Sequence, residues 1–246
     1  MIDIQHFVLL LIKNYSNKEL QYMKSLIRKI SGVIILGAAL ASCDTMASER
    51  EGMYEVTITN ISHGEFFTPI MVASHKHGVK LFELGKPASS ELEIIAESGN
   101  SNPLKDSLIA TGKVLDVAQA EGALPPGQSI TLYVKANKKN TYISVASMLV
   151  PSNDAFFAVN GLHVGKAKKA VTVYSPAYDA GSEINDELCV SIPGPGFVCS
   201  GEGMNTETGE GFVHIHPGIQ GIADLDKAQF DWRNPAAKIT IKRVKK

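Results

Sequence analysis

From residue 53 onward the chain is a succession of short apolar, β-branched and aromatic runs separated by turns, with no strand–helix–strand repeat. Residues 53–61 alternate, with Tyr54, Val56 and Ile58 on one side, which is the period-two signature of a half-buried strand. Further strands are expected over 67–73, 129–136, 141–150 and 170–174, with a closing one from Lys238. Thr68-Pro69 marks the start or an edge of the second, because proline cannot donate to a ladder. Leu124-Pro125-Pro126-Gly127 is a firm turn, and 129–136 and 141–150 read as a hairpin joined through Lys138-Lys139-Asn140. Helix is confined to 89–98, with Ser90 as cap, and to a helical turn over 103–110. Many strands, little helix and no βα alternation predict an all-β fold. The expected architecture is one antiparallel β-sandwich over residues 53–246 with one or two short helices.

Two acidic segments follow strand-like runs. Ser152-Asn153-Asp154-Ala155-Phe156-Phe157 comes after 141–150, and Tyr178-Asp179-Ala180-Gly181-Ser182-Glu183 comes after 170–174. Carboxylates on loops at strand ends can converge at one end of a sandwich. Calcium takes several oxygen ligands in a flexible shell, which Asp, Glu and backbone carbonyls supply. On spacing alone plain turn capping is the commoner role for Asp154 and Asp179, since Asp readily hydrogen-bonds nearby backbone.

The stretch from Met148 through Val150-Pro151-Ser152-Asn153-Asp154-Ala155-Phe156-Phe157 to Val159 resembles the spondin N-terminal domain, the module of F-spondin and mindin. That family carries Val-Pro-Ser-Pro-Asp-Trp-Phe-Val-Gly-Val here. Tyr178-Asp179-Ala180-Gly181-Ser182-Glu183 is similar to its Tyr/Trp-Asp-Ala-Gly-Thr-Asp segment, and Ala237-Lys238-Ile239-Thr240-Ile241-Lys242-Arg243-Val244 to its closing strand. The resemblance implies a C2-like sandwich with calcium as cofactor, held by Asp154, Asp179 and Glu183. It also implies a role in matrix and cell-surface recognition. Asn153 and Ala155 stand where the family has Pro and Trp, and Glu183 is one methylene longer than the family's Asp.

The N-terminus reads as export machinery. Lys24, Arg28 and Lys29 precede an apolar run over 33–41 and then Leu40-Ala41-Ser42-Cys43. A positive segment, a short apolar one and small residues before a cleavage point define a secretory signal, and the final four residues fit a bacterial lipobox with Cys43 as the lipidated residue. The apolar run is short for a membrane span. On this reading 1–22 is an extension upstream of the true start at Met23, with a two-helix membrane anchor as the alternative. Residues 23–42 are then the signal peptide and 43–52 a tether. Asp44 after Cys43 matches an inner-membrane retention signal, but that rule is not general. The expected address is the cell envelope, anchored to membrane through lipid, on the periplasmic side or the outer surface.

Export agrees with the remaining cysteines. Cys189 and Cys199 flank Ile192-Pro193-Gly194-Pro195-Gly196-Phe197 and are expected to form a disulfide. A zinc set would need further ligands at suitable spacing.

His214-Ile215-His216 places two imidazoles on one face of a strand. With a carboxylate such as Asp224 or Asp226 the pair could hold a transition metal; packing beside Pro217-Gly218 is the structural alternative. His75 and His77 also share a face, and Trp232 is expected in the core. The run 201–211 reads as a mobile loop, with an adaptable binding surface as the functional alternative. A formal net charge of −1 and the absence of a basic stripe argue against nucleic acid as partner. No nucleophile elbow, zinc-protease helix or phosphate loop is present. The function expected is therefore a non-enzymatic, lipid-anchored binding or adhesion module for an envelope or extracellular ligand, ordered by calcium. The rival expectation is an exported transition-metal protein or metalloenzyme using His214 and His216.

Overall fold

The computed structural model describes residues 52–165, 169–203 and 209–245; the signal segment and Cys43 lie outside the described residues. Eleven strands among these residues form two antiparallel sheets. The smaller contains β1 (Gly52–Asn60), β5 (Ser129–Ala136), β8 (Val171–Ser175) and β11 (Ala237–Lys245), in the order β5-β1-β11-β8. The larger contains β2 (Phe66–Phe67), β3 (Met71–His75), β4 (Val114–Gln119), β6 (Tyr142–Val150), β7 (Ala155–His163), β9 (Ala177–Asp179) and β10 (His214–Ile215). Its order is β10-β9-β7-β6-β3-β4, with β2 also pairing β6.

Strict alternation along β1 buries Tyr54, Val56 and Ile58 against the other sheet, where Phe67, Ile70, Val72, Val145, Leu149 and Phe157 complete the core. Trp232 joins this core, as its expected role required. β6 does not alternate: every residue from Ile143 to Val150 is buried. Both faces of that strand are covered, because the larger sheet carries a second apolar layer. There α1 (Ser90–Ser98) and α2 (Asn102–Ala110) place Leu92, Ile95, Leu104 and Leu108 over Met71, Ala73, Ala146 and Phe156. Helices of nine residues are marginal alone. Burying each Leu or Ile is worth about 1.5–3 kcal/mol, so docking onto the sheet is what holds them.

Several expectations change. The segments 129–136 and 141–150 are not a hairpin: β5 pairs β1 in one sheet, while β6 pairs β3 and β7 in the other. The connection crosses between layers through an Asn turn, in which Asn137 Oδ1 accepts from the amides of Lys139 and Asn140. The expected strand over 67–73 splits at Thr68-Pro69-Ile70 into β2 and β3. The cap of α1 is Ser89, not Ser90: the Ser89 hydroxyl accepts from the Leu92 amide. The helical turn after Ser101 is a full nine-residue helix. β4 was not anticipated; all six of its residues are only partly buried, so its hydrophobic contrast is weak. Among the described residues no helix is long and apolar enough to cross a membrane.

Candidate metal centre

Strand register assembles the site. β7 begins immediately after Asp154 and β9 ends at Asp179, and Ala155 lies opposite Asp179 in the ladder. β10 then pairs β9 with His214 opposite Asp179. Three neighbouring strands thus bring Asp154, Asp179 and His214 to one end of the larger sheet.

Asp154 is fully buried. Its Oδ2 accepts from the Ser182 amide at 2.9 Å, the Ser182 hydroxyl at 3.2 Å and the Glu183 amide at 3.1 Å. Its Oδ1 has no hydrogen-bond partner among the described residues. Asp179, also buried, accepts from the Gly181 amide on Oδ1 and from Asn185 Nδ2 on Oδ2, each at 2.8 Å. The turn after Asp179, which carries the Ser182 and Glu183 amides to Asp154, depends on Gly181. It has φ +68°, and a Cβ there would meet the Phe212 backbone at 2.4 Å. Burial, reinforced by the adjoining Asp179, pushes the Asp154 carboxyl up to about 8. Burial also raises Asp179, against the donors from Asn185 and Gly181. Two buried carboxylates side by side cannot both ionise cheaply unless a cation joins them.

Among the described residues, two sets of donor atoms have metal-ligand spacing, each within 4.8 Å: Asp154, Asp179 and His216, and Asp179, Glu210 and His214. Asp179 belongs to both. The two histidines differ in wiring. His216 Nδ1 accepts from the Gly218 amide at 2.9 Å, so the proton of the neutral ring sits on Nε2, 3.0 Å from Asn185 Oδ1. Burial and then His214 hold the His216 imidazole down to about 3, hence neutral. Its edge rests on Trp232, with ring centres 4.8 Å apart. His214 instead donates from Nδ1 to the Ile215 carbonyl at 3.1 Å. Its Nε2 stands 3.5 Å from Asp179 Oδ1 and 3.5 Å from Glu210 Oε2. Partial burial opposes its protonation, but the Ile215 carbonyl with Asp179 and Glu210 outweighs that and raises its pKa.

Of the residues singled out in the sequence, Asp154 and Asp179 meet, and His214 and His216 both face Asp179. Glu183 is buried and enters through its backbone amide on Asp154 Oδ2; its side chain belongs to neither ligand-spaced set. Asp224 and Asp226 do not join the histidines. Asp224 Oδ2 accepts from the Cys189 amide, and Asp226 caps α3 (Lys227–Phe230) through the Ala228 amide. His75 is buried against Ser144, and His77 packs on Tyr142. Sequence reading missed Asn185, which bridges Asp179 and His216 two residues beyond the second motif. It also missed Glu210 as a ligand, four residues before His214 in a run read as a loop or an adaptable binding surface. The spacing from Glu210 to His214 was the available signal.

Cys189 and Cys199 form a disulfide with Cα atoms 4.8 Å apart. Just before it, buried Glu187 accepts the Gln220 and Ile222 amides. This clips the disulfide loop to the segment that follows His216.

A family model described as Spondin_N matches residues 59–185 of the chain. No curated protein matches it.

Proposed function

We propose that this chain, which belongs to the spondin N-terminal domain family, is a calcium-ordered binding module held at the cell envelope by a lipid on Cys43, and not an enzyme. The observation that carries the cation is Asp154 Oδ1. A fully buried carboxylate oxygen without a hydrogen bond, beside a second buried carboxylate, costs more than a hydrogen-bonded one unless a positive charge faces it. Asp154 and Asp179 offer oxygen donors suited to a hard cation, and carbonyls of the neighbouring turns can complete the shell. Bound there, calcium would neutralise the carboxylates and fix the turns 152–154 and 180–185 against each other. The amides of Ser182 and Glu183 hold Oδ2, which leaves the buried Oδ1 available to a cation. Envelope attachment is supported by the basic segment, apolar run and Leu40-Ala41-Ser42-Cys43.

Thermal unfolding of the full chain with and without calcium tests the cation. At about a hundred times its dissociation constant a bound ion contributes about 2.7 kcal/mol, and Asp154→Asn should abolish that gain. An unchanged melting temperature in wild type across millimolar calcium overturns it. Cys43→Ala should release the protein from membranes or leave an unprocessed precursor, and unaltered acylation overturns the anchor. Capture of partners from envelope extract, with and without calcium, tests the binding role.

A further inference from the structure

We propose that Asp179, Glu210 and His214 form a second cation position, on the open side of Asp179, for a divalent first-row transition ion of the zinc type. It shares Asp179 with the oxygen site but does not rest on calcium occupying Asp154. Glu210 and His214 lie beyond residue 185, where the family match ends.

Geometry carries the assignment. His214 Nε2 is 3.5 Å from each of two carboxylate oxygens, longer than the roughly 2.7–2.9 Å of a charge-assisted N–H···O bond. Donors about 2.0–2.1 Å from a tetrahedral ion are about 3.4 Å from one another, so the two separations from His214 match two edges of a coordination tetrahedron, and the two carboxylate oxygens lie within 4.8 Å of each other. His214 is also oriented as a ligand: Nδ1 donates to the Ile215 carbonyl, the arrangement that fixes the tautomer and aims the Nε2 lone pair at a metal. That Nε2 is shielded from solvent with no hydrogen-bond partner among the described residues. One imidazole with two carboxylates favours a borderline ion over calcium, which prefers oxygen throughout. The exposed Glu210 leaves the fourth position open to water or to a donor from a partner.

The rival is an imidazolium merely ion-paired between Asp179 and Glu210. Zinc titration of the full chain, purified in detergent, stripped by chelator and held in excess calcium, separates the two. One saturable zinc per chain is expected, with X-ray absorption showing one imidazole among oxygen donors. His214→Gln and Glu210→Gln should each weaken zinc by more than the ~10–100-fold that loss of a supporting partner costs. Asp154→Asn should lose calcium and keep zinc, so failure of the calcium site leaves this one standing. No saturable zinc, an all-oxygen shell, or unchanged affinity in His214→Gln overturns the proposal.

Discussion

His214 and His216 stand two residues apart, face the same carboxylate, and are wired in opposite senses. His216 accepts a backbone amide on Nδ1 and spends its Nε2 proton on Asn185. His214 donates from Nδ1 to a carbonyl and leaves Nε2 facing two carboxylates. The first pattern is that of a prop: a buried neutral ring fixed at both nitrogens and packed on Trp232. The second is that of a ligand. Proximity to an acidic cluster is common to both, so it cannot distinguish them; the partner of the other ring nitrogen does.

The largest effect should come from the prop. His216→Ala strands Asn185 Oδ1 and the Gly218 amide and leaves a void beside Trp232. Each buried polar group left unpaired costs about 1–3 kcal/mol, so a loss of about 3 kcal/mol or more is expected in metal-free protein by denaturant unfolding. A loss below about 1 kcal/mol would erase the contrast.

Next is Asp154→Asn. In saturating calcium it should lose the ~2.7 kcal/mol contributed by the ion at a hundredfold excess. Without calcium it should be close to neutral, because the Asp154 carboxyl, pushed up to about 8, is already largely uncharged near pH 7 and the amide oxygen of Asn can still accept from Ser182 and Glu183. Calorimetric unfolding in the two conditions reads both outcomes.

The strand pattern and the two acidic segments were legible because alternation and strand-end carboxylates are local features. Tyr54, Val56 and Ile58 announced β1, and Asp154 and Asp179 announced the convergence. The layer crossing between β5 and β6 was not legible: a short polar turn serves a hairpin and a crossover equally, and only burial on both faces of β6 decides. Nor was the division of labour between His214 and His216, since a shared strand face says nothing about which ring nitrogen carries the proton. Glu210 and Asn185 gain meaning only from strand register, which places β9 between β7 and β10.

Glu65 sharpens the comparison from elsewhere. It is fully buried with neither carboxylate oxygen hydrogen-bonded among the described residues, yet it lies in no ligand-spaced set. Burial, and then Asp231, raise its pKa well above 4.5. The folded state therefore keeps a proton that the unfolded chain releases near 4.5. Stability should fall as pH rises from there to the folded pKa, by up to about 1.4 kcal/mol per pH unit, and be flat on either side. Glu65→Gln should remove that slope whatever the amide itself costs. Saturating calcium should suppress the similar slope from Asp154 while leaving that of Glu65 intact. If calcium abolished both, buried charge alone would explain the response, and the donors around Asp154 would carry no special meaning.

The smallest effect should be His214→Gln in metal-free protein. His214 is partly exposed, and its Nε2 makes only long contacts to Asp179 and Glu210. Against this, its raised pKa means the protonated ring offsets some negative charge, so removing it exposes Asp179 and Glu210 to each other. These contributions oppose, and partly exposed sites of this kind change stability by about 0.5 kcal/mol or less. Denaturant midpoints of metal-free wild type and His214→Gln should nearly coincide near neutral pH. With zinc added, only wild type should shift upward. A large metal-free loss in His214→Gln would make this ring a structural prop like His216, and the asymmetry between the two histidines would vanish.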